Sequence, residues 1–205
     1  MERKTEIPIV MVFDKRRMDL VKQTLISLVA NDPGVPFDLH VTEDKVGDSD
    51  NYIKQRNRLM KNLTGYKYVC YVDDDLYFKK GWLKLLVEML EKHKDIGVVG
   101  GFRHFRQKVE EERDDINIHE VVITGSCMLF RGELWEKIGS WKVGVRKTYD
   151  VCEAVKKEGW KLGALRDNTW VLHCGLNSLI TKKGFADYTI ANMAKQAAKV
   201  GAILQ

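Results

Sequence analysis

Four short apolar runs, Ile7 to Phe13, Phe37 to Thr42, Tyr66 to Val72 and Ile96 to Gly101, are separated by segments of helical spacing. This alternation constrains the fold more than any other feature. Ile7 to Phe13 is a near-continuous stretch of Ile, Val and Met, so it reads as a strand buried on both faces. The segments between carry apolar stripes: Leu20, Thr24, Leu25 and Leu28, then Ile53, Leu59 and Met60, then Trp82, Leu85, Leu86, Met89 and Leu90. Strands buried on both faces need a helical layer on each side. The expectation is an α/β fold, an open, mostly parallel central sheet flanked by helices, with right-handed crossovers. Asp19 suits an N-cap for the first helix, and Thr64-Gly65 suits a glycine C-cap for the second. Asn31 to Pro36 and the acidic stretch Glu43 to Asn51 read as loops.

The second half changes character. Arg103 to Glu120 is highly charged without a clear period, which predicts a long loop or a short antiparallel excursion. Val121 to Ile123 and Cys127 to Phe130 flank Thr124-Gly125-Ser126, and Glu133 to Ile138 reads as a short helix. A helix over Val151 to Lys157 closes at Gly159. Short strands follow at Trp160 to Leu165 and Trp170 to His173, then an alanine-rich terminal helix over Tyr188 to Leu204. No internal repeat or linker divides the chain, so residues 1–205 are expected to form one domain.

A chain of 205 residues can bury a core without disulfides or metal staples, and its 44% hydrophobic and 31% charged content is that of a globular protein. No apolar run approaches the roughly 20 residues that cross a bilayer. The charged start, Met-Glu-Arg-Lys-Thr-Glu, lacks a secretory pattern, so a cytosolic location is expected. Cys70, Cys127, Cys152 and Cys174 lie far apart with no Cys-x-x-Cys pair, which argues against a cysteine zinc site and for reduced thiols. The net charge of +5 suits anionic ligands but is too small to argue for nucleic acid, and no nucleic-acid motif is present.

Tyr66 to Val72 runs straight into Asp73-Asp74-Asp75. Adjacent carboxylates repel and raise one another's pKa unless a cation or hydrogen-bond donors neutralise them. In open α/β sheets, ligands sit at the carboxyl ends of strands. If strand geometry continues, Asp73 and Asp75 point to the same side. Oxygen ligands of this kind suit Mg²⁺ or Mn²⁺, which can in turn bind a diphosphate. The plainer reading is a solvated acidic turn that caps the next helix.

Further stretches accompany this cluster in order: Ile9-Val-Met-Val-Phe-Asp14, Val41-Thr-Glu-Asp44, Arg56-Asn57, Tyr71-Val-Asp-Asp-Asp75 and Thr124-Gly-Ser-Cys-Met-Leu-Phe-Arg131. Ile138-Gly-Ser-Trp141 and Asp150-Val-Cys-Glu-Ala-Val-Lys-Lys-Glu-Gly159 follow. Together, from about Ile7 to Gly175, they resemble the family 2 glycosyltransferases of GT-A fold. The likeness is to the minimal stand-alone kind found among viruses and archaea, for which the location would be the cytoplasm or the host's cytoplasm.

The resemblance implies transfer of a sugar from a nucleotide-diphosphate sugar to a hydroxyl of a glycan, protein or lipid acceptor, with a divalent metal, Mn²⁺ or Mg²⁺, as cofactor. It implies a nucleotide-sugar half over about 1–101 and an acceptor half over about 102–205. Phe13, Asp14, Glu43, Asp44 and Arg56 fall where the family holds the nucleoside; Glu43 and Asp44 also read as a solvated loop, and Arg56 as a surface ion pair. Asp73 and Asp74 would contact the ribose or metal, and Asp75 would be the principal metal ligand. His173 would complete the metal shell, although a histidine after a strand is often structural. Asp150 would be the catalytic base of an inverting transfer, with Glu153 as alternate and a helix N-cap as the plainer reading. The family's upstream acidic pair is replaced here by Lys147 and Thr148.

Arg103, His104, Arg106 and Lys108 read as a solvated charged loop or as a basic flap over the site. Trp141 and Trp160 read as core aromatics or as sugar-stacking rings. Two rivals stand beside the transferase reading. A nucleotidyltransferase would use the same aspartates, but Phe13-Asp-Lys-Arg-Arg17 lacks the glycine-rich phosphate loop it usually carries. A non-catalytic carbohydrate- or partner-binding relic of the fold is compatible with the altered Lys147-Thr148 site. Neither oligomeric state nor the identity of the sugar is encoded in these motifs.

Overall fold

The structure, a computed structural model, describes residues 3–44, 49–102, 108–141, 147–167 and 169–174. In chain order the elements are β1 (Ile7–Phe13), a 3-10 turn (Lys15–Arg17), α1 (Met18–Ala30), β2 (Phe37–Glu43), α2 (Ser49–Met60), β3 (Tyr68–Val72), β4 (Leu76–Phe78) and α3 (Trp82–Lys92). Then come β5 (Ile96–Gly100), β6 (Val109–Glu112), β7 (Ile116–His119), β8 (Cys127–Arg131), α4 (Gly132–Ile138), α5 (Lys147–Lys157), β9 (Lys161–Leu165) and β10 (Val171–His173).

Eight strands form one sheet in the order β2-β1-β3-β8-β5-β9-β7-β6. The parallel pairs expected from the apolar runs are present at β1–β2, β1–β3 and β5–β9. The sheet is mixed, however: β8 enters antiparallel between β3 and β5, and β7 antiparallel between β9 and β6, against the direction of the other strands. The charged stretch before residue 120 thus supplies the antiparallel excursion, as the β6–β7 hairpin.

Alternate residues of the central strands feed two cores. Ile9, Met11, Cys70 and Val72 face α1 and α3, where Val21, Leu28, Leu83 and Leu86 meet them. Val10, Val69 and Tyr71 face the opposite layer, with Ile53, Leu134, Trp135, Val151 and Val155. This explains why the central strands lack polar alternation: both faces are dry.

Several local expectations are corrected. Asp19 lies inside α1 rather than capping it; the cap is made one turn earlier by Asp14, whose side chain accepts the Arg16 N–H and closes the 3-10 turn. Gly65 does adopt a positive φ of 76°, but α2 ends at Met60, and Gly65 serves the turn into β3, where its carbonyl accepts the Lys4 N–H. The helix α2 also starts at Ser49, within the stretch read as loop. Asp150 is within the first turn of α5, so it is not the N-cap. The terminal helix read over Tyr188 to Leu204 lies outside the described residues.

What positions the site is register. β1 pairs with β2 to its last residue, Phe13 with Glu43, and Met11 aligns with Val72, so β1, β2 and β3 deliver their ends to one edge. Beyond β3, the chain forms β4, which pairs antiparallel with β10 and sets His173 opposite Leu76.

Candidate active site

Asp73, Asp74 and Asp75 leave the end of β3 in different directions. Asp73 and Asp75 meet His173 from β10, with one ligand atom of each within 4.8 Å of the others. His173 Nε2 lies 3.1 Å from Asp75 Oδ1. The expectation that Asp73 and Asp75 share a side therefore describes the geometry. Asp74 turns instead toward the start of α1: its Oδ2 accepts the Asp14 N–H at 2.9 Å, and its Oδ1 pairs with Arg17. The same guanidinium lies 3.1 Å from Asp75 Oδ2.

The backbone here is held from both cores. Thr24 Oγ1 donates to the Asp74 carbonyl at 2.9 Å and accepts the Leu76 N–H at 3.0 Å. The Asp73 N–H donates to the Ser126 carbonyl and the Cys174 N–H to the Asp75 carbonyl, each at 2.7 Å. Thr124-Gly125-Ser126 thus touches the aspartates, and Gly125 is required there: a Cβ would stand 2.4 Å from Thr148 Oγ1 on α5.

The electrostatics leave negative charge in excess. Burial lifts the Asp73 carboxyl above its ordinary range, and Asp75 adds to this against donors from Tyr71 and Ser126. Burial likewise carries Asp74 up to about 6 in spite of Arg17. For His173 burial acts against the charged form, yet the carboxylates of Asp75 and Asp73 outweigh it and the imidazole is raised. Burial and Asp75 push the neighbouring Cys174 thiol up to about 12. Asp75 Oδ1 is buried and faces the His173 imidazole. Two carboxylates and an imidazole converging on one point are a donor set that fits a divalent cation.

The other residues singled out from sequence fall around this centre unevenly. Phe13 packs on the core beside α1, and Asp14 is tied to Arg16. Asp44 is buried, its N–H donating to the Phe13 carbonyl at 2.7 Å and its carboxylate accepting from Asn51, so it is not part of a solvated loop. Glu43 is ion-paired with Lys15 at 3.4 Å. Arg56 is no surface ion pair: it is 5% exposed, its guanidinium 3.9 Å from the Trp141 ring centre and 4.4 Å from that of Tyr71. Trp141 is buried, and Trp160 packs against the same core, so both take the core role. Asp150 is half-buried near the start of α5, two residues beyond the Thr148 that abuts Gly125. Of the charged loop, Arg103, His104 and Arg106 lie outside the described residues, and Lys108 pairs with Glu120.

Sequence reasoning missed Arg17, Tyr52 and Tyr71. Tyr71 donates to Asp73 Oδ1, and the Tyr52 phenol, 3.0 Å from the same oxygen and 2.7 Å from the Tyr71 phenol oxygen, can direct its one proton to either. Burial and the Asp73 charge hold both phenols well above their ordinary ionisation, so both stay donors. The phenol of Tyr71 was visible as a polar atom on a strand that is otherwise dry; nothing flagged Tyr52 or Arg17.

Residues 37–149, more than half of the chain, match the family profile described as Glycosyl transferase family 2. The chain belongs to this family. Two solved structures share its architecture. The mannosyltransferase PcManGT from Pyrobaculum calidifontis, in complex with GDP-Man and Mn²⁺, superposes with a TM-score of 0.57 at 12% identity, over 96% of this chain. The chain spans 64% of that enzyme's length. S. aureus TarS, residues 1–349, gives a TM-score of 0.55 at 14% identity, over 95% of this chain and 72% of its own. At these identities the likeness is one of fold, and the fold is that of the GT-A glycosyltransferases. No curated protein matches the chain in sequence. No helix among the described residues is long and apolar enough to cross a membrane.

Proposed function

We propose that this family 2 glycosyltransferase moves a sugar from a nucleotide-diphosphate sugar to an acceptor hydroxyl, with Mn²⁺ or Mg²⁺ held by Asp73, Asp75 and His173. The observation that carries the reading is the convergence of those three side chains at the end of β3, one ligand atom of each within 4.8 Å of the others. The complex of the mannosyltransferase with GDP-Man and Mn²⁺ supports it by analogy of fold. When bound, the metal would supply positive charge against the diphosphate as it leaves.

The chain's own residues have separable tasks in this reading. Phe13, Asp14 and Asp44 border the edge where β1 and β2 end and would hold the nucleoside, together with Asp73 and Asp74; Arg56 would support the nucleotide from its aromatic slot. Asp150 would take the proton from the acceptor hydroxyl as that oxygen attacks the anomeric carbon, inverting its configuration. The packing of α5 on Gly125, beside the Ser126 carbonyl that binds Asp73, supports this role. An Asp150→Asn variant is expected to bind donor normally and to lose about 10²- to 10⁴-fold in transfer rate. Full activity in that variant, or a product that keeps the donor's anomeric configuration, removes the assignment.

The first test is thermal shift with UDP, GDP, CDP and dTDP, with and without Mn²⁺. A nucleotide at 100 times its Kd adds about 2.7 kcal/mol of stability. Stabilisation by one nucleotide that requires metal and disappears in Asp75→Ala is the expected result. Silence of the wild type with every nucleotide would favour a binding relic of the fold.

A further inference from the structure

A carboxylate offered to a metal must be held at a set orientation, and groups outside the coordination shell do the holding. Asp75 has Arg17 for this purpose. Asp73 has two phenols, from Tyr71 on its own strand and from Tyr52 on α2, converging on one oxygen, Oδ1. A buried hydroxyl is unfavourable unless bonded, and phenylalanine would fill the same space at either position. The hydroxyls therefore need a reason beyond packing.

The rings that carry them are fixed from behind. Tyr52 and Arg56 stand four residues apart on α2 and so share a face. The Arg56 guanidinium lies against both the Tyr71 and Trp141 rings, which also touch each other with centres 5.5 Å apart. Asn57 then locks Trp141 to the helix, donating to its carbonyl at 2.7 Å and accepting its N–H at 3.0 Å. One helix thus supplies a phenol to Asp73, a cation behind the second phenol, and an anchor for the ring that closes the stack.

We propose that Tyr52 and Tyr71 are positioning residues that set the Asp73 carboxylate toward Asp75 and His173 before the metal arrives, with the Arg56–Trp141 stack holding Tyr71 in place. This rests on the metal reading above. Its consequence is that removing the two hydroxyls weakens the metal and leaves the fold standing.

The test is the affinity for Mn²⁺ alone, followed by electron paramagnetic resonance of the free ion, with the apo melting temperature measured alongside. Tyr52→Phe, Tyr71→Phe and the double variant are compared with Tyr68→Phe. Tyr68 is a buried tyrosine of β3 whose phenol donates to Glu91 at 2.5 Å, away from the site. The double variant is expected to bind Mn²⁺ about 10- to 100-fold more weakly, with Tyr68→Phe like wild type whatever its melting temperature. Should the double variant not fold, Tyr52→Phe decides, being a change on one helix face. Unchanged affinity in the phenol variants, or equal weakening in Tyr68→Phe, overturns the proposal. Failure of the wild type itself to bind Mn²⁺ overturns the metal reading and this inference together, and is told apart because the parent protein is then silent.

Discussion

Burial lifts the Asp74 carboxyl to about 6, while Arg17 and the Asp14 N–H restrain the rise and Asp75 and Asp73 add to it. The folded-state value therefore lies above the ordinary 3.8, and the folded protein favours protonated Asp74. Below about pH 4 the group is protonated in both states, and its contribution to stability is fully present. As pH rises through 6 that contribution is lost, by on the order of 2–3 kcal/mol for a shift of this size. Asn at this position keeps an acceptor for the Asp14 N–H and cannot ionise. Metal-free Asp74→Asn is expected to lose less stability than wild type between pH 5 and 7.5, read by urea denaturation at each pH. The slope that remains includes Asp73 and His173, whose values are raised in the same direction. Parallel slopes in the two proteins would mean that Asp74 ionises as readily as it does in the unfolded chain.

At the scale of elements, the approach of α5 to the aspartate-bearing strand depends on one missing Cβ. An alanine at Gly125 would bring its Cβ to 2.4 Å from Thr148 Oγ1 and 3.1 Å from Thr148 Cγ2, too close for either to stay. Gly125→Ala is expected to cost about 1–3 kcal/mol and to displace the start of α5, with a loss of transfer activity. Thr148→Ala in the same chain removes both clashing atoms and should restore stability; calorimetry of the single and double variants checks this. That contact was not legible in the sequence, whereas the buried face of α3 was, because Trp82, Leu86, Met89 and Leu90 write the helical period and bury the face they mark. β3 was legible as an unbroken apolar run ending in acid. The direction of β8 was not, since Cys127 to Phe130 is as apolar as a parallel strand and its pattern carries no sign of which way it enters the sheet. Asp19 misled because a carboxylate before an apolar stripe also occurs in a helix's first turn; the tight turn that made Asp14 the cap had no composition of its own. Asp73 and Asp75 could be paired by strand alternation. Arg17 and Tyr52 reach them from distant elements, and only folding reveals such convergence.

At the scale of the whole molecule, the proposed metal ligands come from two different sheets. Asp73 and Asp75 follow β3 of the eight-stranded sheet, while His173 belongs to β10, which among the described residues pairs only with the three-residue β4. Central strands β1, β3 and β5 are buried along their length, and their amides should exchange only when the whole fold opens. β10 has a single ladder and two half-buried residues of three, so its amides should exchange through local opening. An ion shared by Asp73, Asp75 and His173 would join the small sheet to the large one, and β10 could then open only by releasing it. Hydrogen exchange is therefore expected to slow at Leu172 and His173 on adding Mn²⁺, and also at β1 and β5, because global opening releases the ion as well. By linkage the slowing grows with the ratio of free metal to Kd, about 2.7 kcal/mol in opening free energy at 100-fold. His173→Ala should abolish the effect at β10 even where the two aspartates still bind the ion weakly. Slowing of equal size in that variant would mean that the ion is held by β3 alone and that His173 is a structural partner of Asp75.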